Sequence, residues 1–279
     1  MRVGFVGLGD QGEPMAQRIL DAGHDLAVFA RRPEQAEALI SRGAVSANSL
    51  SDLADRSELL GVCVGTDADV HEVAAAVVGH MRPGSVLAVH STVDPQTCIS
   101  IGADASAQGV AVIDAPVSGG RARAAAGELT VMVGGEVTAV EKARPVFESF
   151  GAQVMHVGEL GAGEVLKFVN NYLFAAQVSI TAQAIELCGE LGLDVAQSMT
   201  AIASSTGSSR TIQMFVDGGC RSAFPIHSAG RARGAELLAK DIGLVDSLLA
   251  GRSVPELLYR AVRAGLLVAA GAEPTGDDL

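Results

Sequence analysis

The chain opens with the run Val3-Gly4-Phe5-Val6-Gly7-Leu8-Gly9-Asp10-Gln11-Gly12-Glu13-Pro14-Met15-Ala16. Val3 to Val6 reads as a buried strand, and a helix is expected from about Glu13 to Ala22. Between them Gly7, Gly9 and Gly12 stand in G-x-G-x-x-G spacing. Gly7 allows a tight turn, Gly9 lets the backbone approach a pyrophosphate, and Gly12 lets helix and strand pack closely. The orphan N–H groups and positive dipole end of the helix complete a phosphate site. Glycine-rich turns also serve structure alone, but the flanking strand and helix here point to a dinucleotide site. Its contact residues are expected to be Gly7, Leu8, Gly9, Asp10, Gln11 and Gly12.

Outward from this loop, Leu26 to Ala30 reads as the second strand and Pro33 to Arg42 as the next helix. The second strand leads into Arg31 and Arg32, where NAD-binding folds usually place an acidic residue for the ribose hydroxyls. A carboxylate would repel a 2′-phosphate, whereas guanidinium groups offer it planar donors. NADP(H) is therefore expected rather than NAD(H), held by Arg31 and Arg32. Further strands are expected at 59–64, 85–90, 110–114, 130–133 and 154–157, alternating with helices as in a doubly wound parallel sheet. After Gly163 the pattern changes. From Glu164 to about Gly192 runs an apolar-rich stretch without Pro, a helix ~40 Å long at 1.5 Å per residue, and the residues beyond it also read as helical. The expected architecture is α/β: a Rossmann domain over residues 1–162 and an all-helical substrate and oligomerisation domain over residues 163–279, joined by this long interdomain helix.

Composition limits the partners. Apolar residues make up 48% of the 279 and charged residues 19%, enough for a sizeable core. A net charge of −12 argues against nucleic acid, since no basic face offers to neutralise phosphates. A local group of arginines can still reverse the field within one cleft. The longest apolar stretch, Leu173 to Ile180, is far too short to span a bilayer, and no secretory segment is visible, so the cytoplasm is the expected compartment. Cys63, Cys98, Cys188 and Cys220 lie far apart without metal-ligand spacing, and no metal is expected.

Three later stretches carry further chemistry. Ser91-Thr92-Val93 follows a strand, at the carboxyl end where open α/β sheets bind ligands. Asp114-Ala115-Pro116-Val117-Ser118-Gly119-Gly120 joins a hydroxyl to consecutive glycine N–H groups, a pocket suited to a carboxylate. In Gly161-Ala162-Gly163-Glu164-Val165-Leu166-Lys167-Phe168-Val169-Asn170-Asn171, helical spacing puts Lys167 and Asn171 on one face. Arg121 and Arg123 follow the glycine pocket, and Arg123 is a candidate for a second anionic group on the substrate.

With the opening loop, these stretches resemble the β-hydroxyacid dehydrogenase family, which includes 3-hydroxyisobutyrate dehydrogenases and tartronate semialdehyde reductases. The resemblance spans nearly the whole chain, with four motifs in order. It implies that Ser118, Gly119 and Gly120 hold a substrate carboxylate, Lys167 is the general acid/base and Asn171 orients the substrate. It implies that Thr92 lies beside the nicotinamide, that Val64 and Thr66 border the cofactor, and that Lys240 belongs to a late Lys240-Asp241 pair near cofactor and substrate. It also implies a homodimer or tetramer. Gln11 replaces the usual Met, Thr66 a common Pro and Val89 a common Asp, and the spacing from Phe224 to Lys240 departs from the family's.

A lysine can move the proton if partial burial and neighbouring positive charge bring its pKa toward neutrality. Histidine is the commoner dehydrogenase base, but only His90 lies near the expected cleft, with no acidic orienter nearby in sequence, so its role reads as structural. Two other readings remain: an imine reductase-like NADPH enzyme, whose members typically replace the lysine by Asp or Tyr, and a non-catalytic NADP-binding structural module. The presence of Lys167 argues against both. The motifs fit 3-hydroxyisobutyrate, glycerate or tartronate semialdehyde, and 4-hydroxybutyrate or succinic semialdehyde equally.

Overall fold

A computed structural model describes residues 1–220 of the chain. Two compact units divide at Lys167/Phe168, spanning Met1–Lys167 and Phe168–Leu279. The first unit contains, in order, β1 (Arg2–Val6), α1 (Gly12–Asp21), β2 (Asp25–Phe29), α2 (Glu37–Ser41), β3 (Val45–Ser46), α3 (Leu50–Arg56) and β4 (Leu59–Val62). There follow α4 (Asp67–Val77), β5 (Val86–Val89), α5 (Pro95–Ser106), β6 (Ala111–Asp114), β7 (Val117–Ser118), α6 (Gly120–Ala126), β8 (Leu129–Gly134), α7 (Val137–Phe147) and β9 (Gly151–Gly158). Helix α8 (Ala162–Glu190) begins in the first unit and continues into the second, whose described part also contains α9 (Val195–Ala203) and α10 (Arg210–Asp217).

The sheet runs β3-β2-β1-β4-β5-β6-β8-β7, with β9 also paired to β8. Strands β1 to β6 are parallel, with Val3–Val6 aligned on Leu59–Val62 and Leu59–Val62 on Val86–Val89. Their apolar runs follow from burial on both faces. Alternate residues feed two cores: Val3, Phe5, Leu59, Val86 and Ala88 pack toward Met15 and Ile19 of α1 and Phe147 of α7. Val6, Leu60, Val62, Leu87 and Val89 pack on the other side with Leu53 of α3, Val70 of α4 and Ile101 of α5. Helices on both faces of one sheet give the doubly wound Rossmann layer expected from the alternation of runs.

Three details differ from the sequence expectation. The helix expected over Pro33–Arg42 is a 3-10 turn at Pro33–Gln35 followed by the short α2, because Gln35 and Ala36 bond to the carbonyls three residues back. The two-residue strands β3 and β7 are too short to leave a periodic signal. The last part of the sheet is not parallel to the rest: β8 meets both β6 and β7 antiparallel, and only β9 runs parallel to β8.

His90 closes the first core. It is 4% exposed, its Nδ1 lies 2.8 Å from the Ala115 carbonyl oxygen, and its ring lies 5.2–6.0 Å from those of Phe5, Phe147 and Phe150. Burial lowers its pKa from 6.5 to about 4, opposed by the Ala115 hydrogen bond, so it is neutral near pH 7. As pH falls from 6.5 toward 4, the unfolded chain binds a proton at His90 that the folded protein does not. Stability should then drop by up to about 3 kcal/mol from this group. Urea unfolding should show a shallower acid loss in His90→Gln than in wild type over that window; parallel curves would contradict the assignment.

Candidate active site

Because β1, β2, β4, β5 and β6 are parallel, their carboxyl ends share one edge of the sheet. That edge collects the glycine loop after β1, Arg31 after β2, Val64 after β4, Ser91 and Thr92 after β5, and Asp114 at the end of β6.

In the glycine loop Gly7 has φ +94°, and a side chain there would collide with the Cys63 carbonyl oxygen. A side chain at Gly12 would strike the Gly7 carbonyl oxygen, so the turn closes tightly onto α1. Gly9 is different: a Cβ there would meet nothing within 4 Å, which leaves an open cradle above the turn. Helix α1 starts without a side-chain cap, and Gln11 Oε1 is buried without a hydrogen-bond partner. An open cradle and an uncapped helix start, whose N–H groups are donors, fit a dinucleotide pyrophosphate.

Arg31 and Arg32 lie at the end of β2, with the Arg31 side chain largely exposed. The Arg31 guanidinium lies 3.5 Å from Asp69 on the first turn of α4. Thr66 caps that helix: its hydroxyl donates to Asp69 at 2.7 Å and accepts the Asp69 N–H at 3.1 Å, so its side chain serves the cap. The Val64 N–H donates to Ser91 Oγ at 2.8 Å, joining the β4 and β5 ends next to Thr92.

Ser118 sits on β7 opposite Thr130 of β8. Gly119 and Gly120 follow with φ +145° and +74°, a pair of positive-φ conformations that presents successive backbone groups where a side chain would be strained. Arg121 turns toward the glycine loop. It donates to the Asp10 carbonyl at 3.3 Å and to Glu13 at 2.6 Å, and so ties α6 to the glycine loop. Arg123, the candidate for a second substrate anion, lies 3.8 Å from Glu128.

Lys167 lies in the second turn of α8 and is 9% exposed. Asn171 follows one turn later on the same helix, is buried, and accepts from Asn170 Nδ2 at 3.0 Å. Lys240, expected near cofactor and substrate, lies outside the described residues. Two buried acids carry no role in the sequence reading. Asp114 ends β6 fully buried, with its oxygens 2.7 Å from the N–H groups of Gly161 and Glu164; Glu164, also fully buried, accepts the Val93 N–H at 3.3 Å. An acid closing the apolar run Ala111-Val112-Ile113 is the available signal for the first. Among the described residues no group of three or more His, Cys, Asp or Glu is arranged to hold a metal, and no helix is long and apolar enough to cross a membrane.

The family model described as the NAD binding domain of 6-phosphogluconate dehydrogenase matches residues 2–158, and that described as NAD-binding of NADP-dependent 3-hydroxyisobutyrate dehydrogenase matches residues 161–278. An uncharacterized oxidoreductase of Mycobacterium tuberculosis is 39% identical over 197 residues, covering 70% of this chain and 66% of that protein, just under two thirds of its length. The NAD-dependent L-serine dehydrogenase of Pseudomonas aeruginosa is 35% identical over 250 residues, covering 88% of this chain and 84% of that enzyme. The solved structure of Mycobacterium tuberculosis 3-hydroxyisobutyrate dehydrogenase with L-serine superimposes with a TM-score of 0.82 at 28% identity, covering 96% of this chain and 93% of that one. With both halves matched in order and the glycine loop, sheet and α8 in place, the chain belongs to the 3-hydroxyisobutyrate dehydrogenase family and is an NAD(P)-binding oxidoreductase of the hydroxyacid dehydrogenase type.

Proposed function

We propose that this enzyme transfers hydride between NADP(H) and a small β-hydroxyacid or its semialdehyde, with Lys167 as the general acid/base. The observation that carries this reading is the burial of Lys167 in the second turn of a helix whose start is hydrogen-bonded to the end of β6. The bound nicotinamide supplies the hydride donor or acceptor. In reduction, Lys167 Nζ donates a proton to the carbonyl oxygen of the semialdehyde; in oxidation it takes the proton of the hydroxyl. Ser118 with the backbone of Gly119 and Gly120 holds the carboxylate, Thr92 lies beside the nicotinamide, and Asn171 orients the substrate. Arg123 is available to a second anionic group. In this proposal residues 1–162 are the dinucleotide-binding domain and residues 163–279 the helical substrate and oligomerisation domain.

Arg31 and Arg32 select NADP(H). Support comes from the absence of an acid directly after β2 and from the NADP-dependent description of the second family model. The NAD-dependent L-serine dehydrogenase marks the opposite choice within the family. Retention of a lysine at 167 disfavours imine reduction.

Lys167→Ala should lower kcat by about 10²–10⁴-fold with NADPH affinity kept, and Lys167→Arg should not rescue it, because a guanidinium does not release its proton near neutral pH. Near-normal turnover in Lys167→Ala would refute the assignment. Arg31→Ala should weaken NADPH binding by ~1–3 kcal/mol and leave NADH nearly unchanged. Titration of both cofactors by fluorescence checks this; equal losses would return Arg31 to the surface.

A further inference from the structure

Asp114 and Glu164 stand outside the chemistry assigned to Lys167, Ser118 and Thr92, yet they touch the backbone of its main parts. Asp114 Oδ1 accepts the Gly161 N–H and Oδ2 the Glu164 N–H, both at 2.7 Å. These donors lie at the start of α8, where the residue before the helix is Gly161 and has no side chain to cap it, so a carboxylate from β6 takes that place. Space for it is built in. Gly134 is paired with Asp114 across β6 and β8, and a side chain there would collide with Asp114 Oδ1. A Cβ on Gly163 would stand 2.8 Å from Asp114 Oδ2 and would strike the Met132 carbonyl oxygen. Two glycines on different elements thus let helix and sheet close on one carboxylate.

Glu164 makes the second link. Its Oε2 accepts from Val93, the residue after Ser91 and Thr92. Asp114 itself leads through Ala115 and Pro116 to Ser118. The start of α8 is therefore hydrogen-bonded to the strand end that leads to the Ser118 pocket and to the segment that carries Thr92, and Lys167 follows Glu164 by three residues. A helix that slipped by one residue would advance ~1.5 Å and turn ~100°. Misplacement of a reacting group by ~1 Å can cost about 10²-fold in rate.

We infer that Asp114 and Glu164 are positioning residues for the hydroxyacid reaction: two buried carboxylates that lock the start of α8 to the ends of β5 and β6 and thereby fix where Lys167 delivers its proton. The inference rests on the proposed role of Lys167. Burial, the larger influence, raises the Asp114 carboxyl above its usual range, against the pull of the N–H donors of Gly161, Glu164 and Gly163, which favour the charged form that grips the helix. Neither acid is asked to touch substrate or cofactor.

Asp114→Asn retains one acceptor and turns a donor toward the other N–H. With the full-length enzyme, kcat should fall about tenfold or more, while NADPH dissociation and substrate KM stay within about threefold, since phosphate and carboxylate contacts are made elsewhere. Hydrogen exchange should speed up at the Gly161 and Glu164 amides and stay unchanged in β1 and β4. If Asp114→Asn fails to fold, Glu164 carries the test: Glu164→Gln, which can still accept from Val93, should keep kcat within about threefold, and Glu164→Ala should lose about tenfold. Unchanged kcat, or kcat and cofactor affinity falling together, would overturn the inference. Its failure is separable from that of the Lys167 assignment: a dead Lys167→Ala beside a fully active Asp114→Asn refutes the anchor alone, whereas an active Lys167→Ala with fast amide exchange in Asp114→Asn refutes the proton role alone.

Discussion

Gly134 on β8 and Gly163 on α8 face the carboxylate of Asp114 at the end of β6, and neither position has room for a side chain. A buried acid is costly unless its oxygens are hydrogen-bonded, and here two backbone N–H groups at the start of α8 meet them at 2.7 Å. This close approach determines where α8 leaves the sheet. Parallel pairing of β1, β4, β5 and β6 in turn gathers the glycine loop, the Ser91-Thr92 segment and Asp114 at one edge. Arg121 adds a third tie by holding α6 to Asp10 and Glu13. The first unit is thus a frame in which loops far apart in sequence are fastened to one another by single polar contacts, while apolar burial on both faces supplies the bulk of the stability.

Elements with a period or a punctuation mark are legible in the chain itself. The strand at Val3–Val6, its glycine turn and the 29-residue α8 read directly, because burial on two faces and freedom from Pro leave long runs. The two-residue β3 and β7 are not legible, and neither is the reversal of direction at β8, which depends on pairing rather than on local pattern. At the site, glycines in fixed spacing announce the dinucleotide turn, while the arginines after β2 and a lysine amid apolar neighbours suggest the roles proposed for them. Asp69 and Glu164 give no such signal, and Asp114 only that of an acid closing an apolar run, because their meaning lies in distant partners, Arg31 for the first and backbone N–H groups for the others. The expected Lys240 contact lies outside the described residues.

Hydroxyacid dehydrogenation needs a hydride path, a held carboxylate and a group that moves one proton. The fold and family account for the first in general terms. The contest between Arg31 and an NAD-type acid for the adenosine end is electrostatic, and Asp69, 3.5 Å from Arg31, would have to yield the guanidinium to a 2′-phosphate. His90, the alternative base, is sealed among Phe5, Phe147 and Phe150 with its pKa lowered to about 4. Its burial among these rings suits His90 to the core rather than to proton exchange with a ligand, in keeping with the role proposed for Lys167.

Steady-state oxidation of NADPH and of NADH against a small panel tests this account most directly. The panel would hold tartronate semialdehyde, succinic semialdehyde, the semialdehyde of 3-hydroxyisobutyrate and one cyclic imine. The account predicts turnover of at least one carboxylate-bearing semialdehyde, faster with NADPH than with NADH, and none of the imine. Binding of NADPH without turnover of any semialdehyde, or reduction of the imine alone, would contradict it.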